Sequence, residues 1–290
     1  MHVIVGIASA GRGTVVRQTL SHTLSLRDRP DAIWVCLPED DDGPDGPAIF
    51  GPDVTVIRGP RGSCPQRNSI IEAVPDDTII LFLDDDFLLG DGSITAIRDL
   101  LSTNADIAMA TGKVLADGIG GPGLNHDEGT LILDRAGQAG GTQVDPVYNA
   151  YGCNMVVRVD TARRHGIRFD TDLPMYGWLE DVDFSRRMAS HGRIVKFDGL
   201  FGVHLGTKKG RSRGVPLGYS QIANPVHLIR NGTITRRKAY RLMTRNVCAN
   251  LGKMLWPEPW IDRKGRLMGN LTAFADGLRG RLTPTRVRDL

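Results

Sequence analysis

The 290-residue sequence is poor in cysteine and has no long apolar run. Its four cysteines (Cys36, Cys64, Cys153 and Cys248) are scattered and form no CxxC pair, so we expect reduced thiols in the cytosol. No apolar run approaches the roughly 20 residues that a membrane span needs. The N-terminus, MHVIVGIASAGRG, has neither a basic start nor a cleavage site. We therefore expect no signal peptide and a cytoplasmic location.

Acidic residues are scarce in the C-terminal third. Residues 201–290 contain 18 Lys and Arg against 4 Asp and Glu, a net charge of +14, whereas residues 1–200 carry a net charge of −11. This asymmetry predicts that the C-terminal third meets nucleic acid, a membrane surface or a diphosphate substrate. Few aromatic residues lie among these basic residues and no nucleic-acid-reading module is recognisable, which disfavours a nucleic-acid-binding protein.

Over residues 1–113, short apolar runs alternate with helical patterns. The runs HVIVGIA, DAIWVCLP, VTVIRG and TIILFLD are typical of buried strands, and TVVRQTLSHTLSL and QRNSIIEAV of helices. This alternation indicates an α/β domain with a mostly parallel sheet. Further along, residues 114–147 are rich in glycine and are predicted to form long loops. RIVKF and FGVHLG are predicted as two short strands, and WLEDVDFSRRMASHG and residues 234–256 as helices.

Three consecutive carboxylates, Asp84, Asp85 and Asp86, follow the predicted buried strand TIILFL. Ligands bind α/β sheets at the carboxyl ends of their strands. A cluster of three carboxylates is tolerable there if a divalent cation such as Mg²⁺ or Mn²⁺ binds it, because hard cations take oxygen ligands. The alternative is a charged turn in water.

A second acidic group lies in WLEDVDF, where Glu180 and Asp181 open a predicted helix. Acidic residues at a helix N-terminus are stabilised by the helix dipole, and that is a sufficient structural explanation. The functional alternative is that Asp181 is a general base for an incoming hydroxyl. The neighbouring Tyr176 and Trp178 would suit a sugar ring, although either could belong to the core.

Two further segments contain basic residues that could bind a ligand. His204 precedes the loop TKKGRSRG, whose Lys208, Arg211 and Arg213 could offset the charge of a departing diphosphate. Arg61 and Arg67 in RGPRGSCPQRN suit phosphate or base contacts. The stretch GIASAGRGT imitates a phosphate loop but lacks its Lys and its hydroxyl residue. A sugar-phosphate nucleotidyltransferase, the rival enzyme, would also need a Lys in such a loop.

The ordered motifs GPRGSCPQRN, FLDDDF, YGCNMVVR, EDVDFSRR and a late His204 resemble those of the inverting family 2 glycosyltransferases with the GT-A fold, over roughly residues 2–235. The resemblance implies a metal-dependent enzyme of bacterial surface polysaccharide synthesis. It would use Mn²⁺ or Mg²⁺ and move a sugar from a nucleotide-diphosphate sugar, with UDP favoured, to a hydroxyl of a glycan or a lipid-diphosphate-linked oligosaccharide. Two stretches depart from the family pattern, ASAG in place of PTYN and CLPEDDDG in place of DDGS.

The resemblance also implies roles for individual residues. Asp181 would be the catalytic base and Glu180 would orient it or the acceptor, while Asp86 and His204 would bind the metal. Asp84 would face the ribose, and either Glu39 or Asp40 would replace the usual base-reading Asp. The remaining nucleotide-sugar contacts would come from Ala8, Ser9, Arg61, Arg67, Asp85, Lys208, Arg211 and Arg213, and the acceptor contacts from Tyr151, Asn154, Tyr176 and Trp178.

We expect two parts in the chain. Residues 1–220 would form the GT-A catalytic domain, with a donor half of about 1–113 and an acceptor half of about 114–220, and residues 221–290 a basic helical extension. In a helix, Arg237, Arg241 and Arg245 would form one stripe. Such a stripe could place the protein on the inner face of the plasma membrane. The alternative is a helix packed on the catalytic domain with its basic face in water.

Overall fold

The computed structural model describes residues 1–40, 50–137, 140–208 and 214–290. Strands and helices alternate through the first part, and helices alone make up the last. The strands are β1 His2–Ala8, β2 Ala32–Pro38, β3 Val54–Gly59, β4 Thr78–Leu83, β5 Phe87–Leu89, β6 Ile107–Asp117, β7 Val144–Pro146, β8 Asn154–Arg158 and β9 Arg193–His204. The helices are α1 Gly13–Ser25, α2 Ser63–Ala73, α3 Ser93–Thr103, α4 His126–Ala136, α5 Val159–Arg164, α6 Glu180–Met188, α7 Gly214–Arg230, α8 Arg236–Gly252 and α9 Arg263–Leu278.

The described strands form one nine-stranded sheet, in the order β3-β2-β1-β4-β8-β6-β9-β5 with β7 beside β9. The predicted α/β fold is confirmed. Strands β1 to β4 are parallel to one another, as the pattern of the first 113 residues predicts, whereas β8 is antiparallel to both β4 and β6. The sheet is therefore mixed, with β6 and β9 parallel and β5 and β7 antiparallel to β9.

Both faces of the sheet are buried, as the continuous apolar runs predict. Alternate residues of β4 belong to two different clusters: Leu81 and Leu83 pack with α1 and α3, whereas Ile80 and Phe82 pack with α2, α5 and α6. The central strands are thus covered by helices on both sides, and their carboxyl ends form the open edge where a ligand can approach.

The prediction of long loops over residues 114–147 was wrong. β6 continues to Asp117, and helix α4 occupies His126–Ala136. The side chain of Asn125 accepts from the backbone N–H of Glu128, whose side chain in turn accepts from the N–H of Asn125. This capping box satisfies two of the amide groups left open at the start of a helix, so α4 forms in spite of the surrounding glycines.

The two short strands predicted at RIVKF and FGVHLG are one strand, β9, which pairs with β6 along its length with shifts in register. The shift between Gly112 and Lys113 absorbs the residues that separate the two apolar runs. Strand β9 is therefore long enough to reach from the far end of the sheet to the predicted metal ligand His204.

Helices α7, α8 and α9 pack together at the C-terminus. The predicted division at residue 220 remains a prediction, and position 220 lies inside the continuous helix α7. On α8, Met243 and Val247 pack inward, whereas Tyr240 and Leu251 are exposed. The buried face of α8 is centred on Ala239, Met243 and Asn250.

Candidate functional site

The predicted metal ligands Asp86 and His204 lie together at the open edge of the sheet, and Asp84 lies beside them. Asp84 and Asp86 follow β4, and His204 is the last residue of β9. His204 Nε2 lies 3.4 Å from Asp86 Oδ1 and 3.7 Å from Asp84 Oδ2. One ligand atom from each residue lies within 4.8 Å of the others, close enough to hold one ion.

Asp117 holds the imidazole of His204. The pairing of β6 with β9 places these two residues opposite each other, and His204 Nδ1 donates to Asp117 Oδ1 at 2.9 Å. Nε2 therefore faces the two carboxylates, which is the arrangement of histidine ligands that are oriented by an outer carboxylate. Burial opposes protonation of His204, but the hydrogen bonds with Asp117 and Asp86 raise its pKa to about 10. The same carboxylates favour any positive charge beside Nε2, whether a proton or a metal ion.

This donor set fits the predicted cofactor. Two carboxylates and an imidazole suit Mn²⁺, and the carboxylates suit Mg²⁺. Both Asp86 and His204 are buried, and Asp86 Oδ2 also accepts from the backbone N–H of Thr207 at 2.7 Å. Burial opposes ionisation of Asp86, yet its contacts with His204 and Arg12 hold its pKa well below the usual range. Asp86 is therefore ready to bind as a carboxylate.

Arg12 forms a bridge across the carboxylate cluster. Its guanidinium donates to Asp85 Oδ1 at 2.6 Å and to Asp86 Oδ2 at 3.1 Å. Asp85 also accepts from Ser9 Oγ at 2.7 Å, and burial raises its pKa to about 7 although Arg12 opposes this. Asp85 thus connects the turn after β1 to the carboxylate cluster, and its carboxylate oxygens are hydrogen-bonded to Arg12 and Ser9.

Arg67 connects the two acidic motifs. Its guanidinium donates to Glu180 Oε1 at 2.7 Å, to Asp84 Oδ1 at 3.1 Å and to the carbonyl oxygen of Gly152 at 3.0 Å. The side chain of Arg67 is only 4% exposed, and its charged end lies 5.9 Å and 5.4 Å from the ring centres of Phe82 and Phe169. The motifs at residues 84–86 and 180–181 therefore face the same space.

Asp181 is held by backbone amides. Its Oδ2 accepts from the N–H of Gly152 at 3.1 Å, and its Oδ1 accepts from the N–H of Val182 at 2.8 Å. The left-handed conformation of Leu179, with φ 75°, turns the chain into α6 just before Glu180. Burial raises the pKa of Asp181, and the two amide contacts oppose that shift. Burial likewise raises the pKa of Glu180, to about 8, against the pull of Arg67.

The predicted acceptor residues lie in different surroundings. The Tyr151 hydroxyl donates to Asp117 Oδ2 at 2.8 Å, and its ring meets that of His204 edge to face. Tyr176 is exposed and Trp178 is half-buried. Asn154 is wholly buried, and its Oδ1 accepts from the Thr111 hydroxyl and from the backbone N–H of Gly112. These hydrogen bonds connect β8 to β6, so the side chain stabilises the sheet and is not exposed at the predicted acceptor site. Its role at the acceptor stays a prediction.

The other predicted nucleotide contacts are more spread out. Ala8 ends β1 beside Ser9, and the exposed Glu39 follows β2 with its N–H bonded to the carbonyl of Gly59. Arg61 pairs with Asp40 at the surface. Lys208 Nζ donates to the carbonyl oxygens of Gly118 and Ile119. Of the basic residues predicted in the loop TKKGRSRG, Arg211 and Arg213 lie outside the described residues.

Sequence reasoning missed three residues of the site. Arg12 lies in the turn between β1 and α1 at the ligand edge, and its position there could have suggested a partner for the carboxylates. The backbone N–H of Gly152 donates to Asp181, and its carbonyl oxygen accepts from Arg67. Such backbone contacts cannot be predicted from a pattern of side chains. Asp117 fell within a segment that was predicted to be a loop, so its register with His204 was hidden.

Comparison of the sequence with protein-family models and with curated proteins finds no match. Comparison with solved structures finds similar folds. One is S. aureus TarS 1-349 in complex with UDP-GlcNAc, with a TM-score of 0.58 and 11% identity over 97% of this chain and 83% of that one. Another is the mannosyltransferase PcManGT from Pyrobaculum calidifontis in complex with GDP-Man and Mn²⁺, with a TM-score of 0.54 and 13% identity over 96% and 75%.

A third is GalNAc-T7 with UDP, GalNAc and Mn²⁺, with a TM-score of 0.55 and 12% identity over 89% of this chain and 58% of that one. The chain spans 44% of the longer TarS structure that it also matches. These likenesses show that the chain has a GT-A-like glycosyltransferase fold.

Proposed function

We propose that this protein is a metal-dependent inverting glycosyltransferase that moves a sugar from a nucleotide-diphosphate sugar to a hydroxyl of a glycan or lipid-linked oligosaccharide. One observation carries the proposal: Arg67 joins Asp84, beside the candidate metal ligands, to Glu180, beside the candidate base. The proposed donor site and the proposed base are thus linked through one guanidinium at the ligand edge of a GT-A-like fold.

The donor site is built around Asp86 and His204, which would hold Mn²⁺ or Mg²⁺. When bound there, the cation neutralises the diphosphate as it leaves. Asp84 is half-buried and keeps an edge toward the open site, which suits its proposed contact with the ribose. Asp117 keeps Nε2 of His204 pointed inward, so the imidazole needs no reorientation when the donor arrives.

Asp181 is the proposed base. It would take the proton from the acceptor hydroxyl, whose oxygen would attack the anomeric carbon from the face opposite the leaving diphosphate. A raised pKa brings a carboxylate closer to the working pH and makes it a better base. The amides of Gly152 and Val182 fix its position, while Glu180 is held by Arg67 and serves to orient its neighbour.

The proposed acceptor lies against aromatic side chains. Tyr151 contacts His204 and Asp117 and so lies at the metal side of the site, and Tyr176 and Trp178 precede α6 at the base side. Aromatic faces of this kind suit the apolar faces of sugar rings. We place the reaction in bacterial surface polysaccharide synthesis, at the cytoplasmic face of the membrane, where a lipid-diphosphate-linked acceptor would be found. No described helix is long and apolar enough to cross a membrane.

Product analysis tests the proposed reaction. The protein is incubated with a panel of nucleotide sugars, Mn²⁺ and saccharide or lipid-linked acceptors, and the nucleotide product is identified chromatographically. We expect free nucleoside diphosphate, a glycosylated acceptor of inverted anomeric configuration, and loss of both in Asp181→Asn but not in the exposed control Asp53→Asn. Release of pyrophosphate would indicate a nucleotidyltransferase and overturn the proposal, and retention of configuration would overturn the single displacement.

A further inference from the structure

Helix α9 turns apolar side chains outward. Met268, Leu271, Phe274 and Leu278 are 58%, 55%, 47% and 92% exposed. They recur at three- and four-residue intervals and so form one stripe along the 16-residue helix. An exposed stripe of this length is unusual, because scattered single apolar residues are normal on a surface but a contiguous patch marks an interaction site.

The opposite face of α9, which packs on the helical bundle, is polar. Asn270 is wholly buried, donates to the carbonyl of Gly218 at 2.6 Å and accepts from Asn250 at 2.9 Å. Gly269 lies so close to α7 that a Cβ there would be 2.1 Å from the carbonyl oxygen of Val215. The helix is therefore fixed to the bundle by hydrogen bonds and close backbone packing, and its apolar stripe takes no part in the core.

The connection between α8 and α9 also exposes apolar side chains. Leu255 and Trp256 are 69% and 83% exposed, and Trp260 is partly exposed. Tryptophan is favoured at the boundary between water and lipid because its ring is apolar and its N–H is polar. We call the stripe of α9 together with Leu255, Trp256 and Trp260 the C-terminal apolar surface.

The neighbouring helix α8 carries exposed basic residues. Arg237, Arg241 and Arg245 are exposed on α8, which contacts α9. Within the described part of the chain, none of the three forms a salt bridge with a carboxylate. A basic stripe near an exposed apolar face is typical of a helix pair that lies on an anionic membrane.

We propose that the C-terminal apolar surface docks on an anionic lipid bilayer and lies in its interfacial plane. The apolar stripe would enter the headgroup region, and the arginines of α8 would meet lipid phosphates. A second copy of the chain is the other occupant to consider. That contact would bring two C-terminal thirds of net charge +14 together, so charge complementarity favours the anionic surface.

Flotation with vesicles tests the docking, on the whole protein without donor or metal. We expect binding to equimolar phosphatidylglycerol and phosphatidylcholine, weaker binding in high salt, and a blue shift of tryptophan emission that is reduced in Trp256→Phe and lost in Trp256→Phe/Trp260→Phe. Arg237→Gln/Arg241→Gln/Arg245→Gln should weaken binding on the order of 100-fold, because each basic residue at an anionic surface contributes about a factor of five.

Matched variants distinguish binding by this surface from nonspecific hydrophobic or electrostatic binding elsewhere on the protein. Met268→Gln/Leu271→Gln/Leu278→Gln should abolish flotation, whereas Leu131→Gln, at an exposed apolar position on α4, should not. Arg17→Gln/Arg27→Gln/Arg135→Gln removes the same charge elsewhere and should bind far better than the α8 variant. Equal binding to neutral and anionic vesicles, or no binding, would overturn the proposal. So would a dimer that the Met268/Leu271/Leu278 variant dissociates. None of these results depends on transferase activity.

Discussion

Replacement of Arg67 by Met should destabilise the fold increasingly as the pH rises above about 8, by up to about 3–5 kcal/mol, because it leaves buried carboxylates without their counter-charge. The guanidinium of Arg67 lies 2.7 Å from Glu180 and 3.1 Å from Asp84. Methionine keeps the apolar volume between Phe82 and Phe169. Loss of packing is therefore small, and loss of the charge contacts dominates.

The loss of stability in Arg67→Met should become smaller as the pH falls. Burial already raises the pKa of Glu180 to about 8, and removal of Arg67 should raise it further. A carboxyl whose pKa is higher in the folded state takes up a proton on folding. Its favourable contribution is present below the unfolded-state pKa of about 4.3 and is lost as the pH rises through the folded-state value. Native protein and variant should therefore differ least at a pH of about 5.

Urea unfolding at a pH of about 5 and of about 9 measures this difference. The control is Arg61→Met, which breaks a solvent-exposed pair with Asp40 and should change stability little at either pH. The double variant Arg67→Met/Glu180→Gln should recover part of the loss. Equal losses in Arg67→Met and Arg61→Met, or a loss independent of pH, would refute the reasoning.

Three further predictions concern single carboxylates. Asp117→Asn should weaken Mn²⁺ binding about 10–100-fold in calorimetry, since His204 loses its orienting partner; unchanged affinity would contradict this. Asp181→Asn should lower kcat about 10²–10⁴-fold, and a fall of less than about tenfold would leave Asp181 a structural residue. The hydrogen bond from His227 lowers the pKa of Asp170, so its contribution to stability is present above about pH 3.9 and lost as the pH falls through the lower folded-state value. The melting-temperature deficit of Asp170→Asn should accordingly shrink below a pH of about 4, and a constant deficit would count against it.

The sequence was sufficient to predict the elements whose patterns are local. The runs before Asp84 and around Val54–Gly59 are strands with nearly the predicted bounds, since continuous apolar residues there are buried on both faces. Asp86 and His204, the expected metal ligands, also lie together, with Asp84 beside them, because β4 and β9 end at the same edge of the sheet.

Features that depend on strand register and on backbone contacts could not be predicted. Asp117 meets His204 only because β6 and β9 pair along their full lengths, and the glycine-rich composition concealed both β6 and α4. Arg67 could be placed among phosphate-binding residues by its motif, but its position between Asp84 and Glu180 arises from contacts distant in sequence. The outward apolar face of α9 likewise becomes visible only when the buried Asn270 and Gly269 fix the rotation of the helix.

Metal-dependent donor binding tests the central claim most directly. Calorimetric titration of the protein with UDP-, GDP- and dTDP-sugars is carried out with Mn²⁺ and with a chelator, for the native chain and for Asp86→Ala, with circular dichroism to establish that the variant is folded. The account predicts that at least one nucleotide sugar binds the native protein only with Mn²⁺ present, and that Asp86→Ala abolishes this binding. Binding of equal affinity with and without metal, or in Asp86→Ala, would contradict it, and so would the failure of every nucleotide sugar to bind in the presence of Mn²⁺.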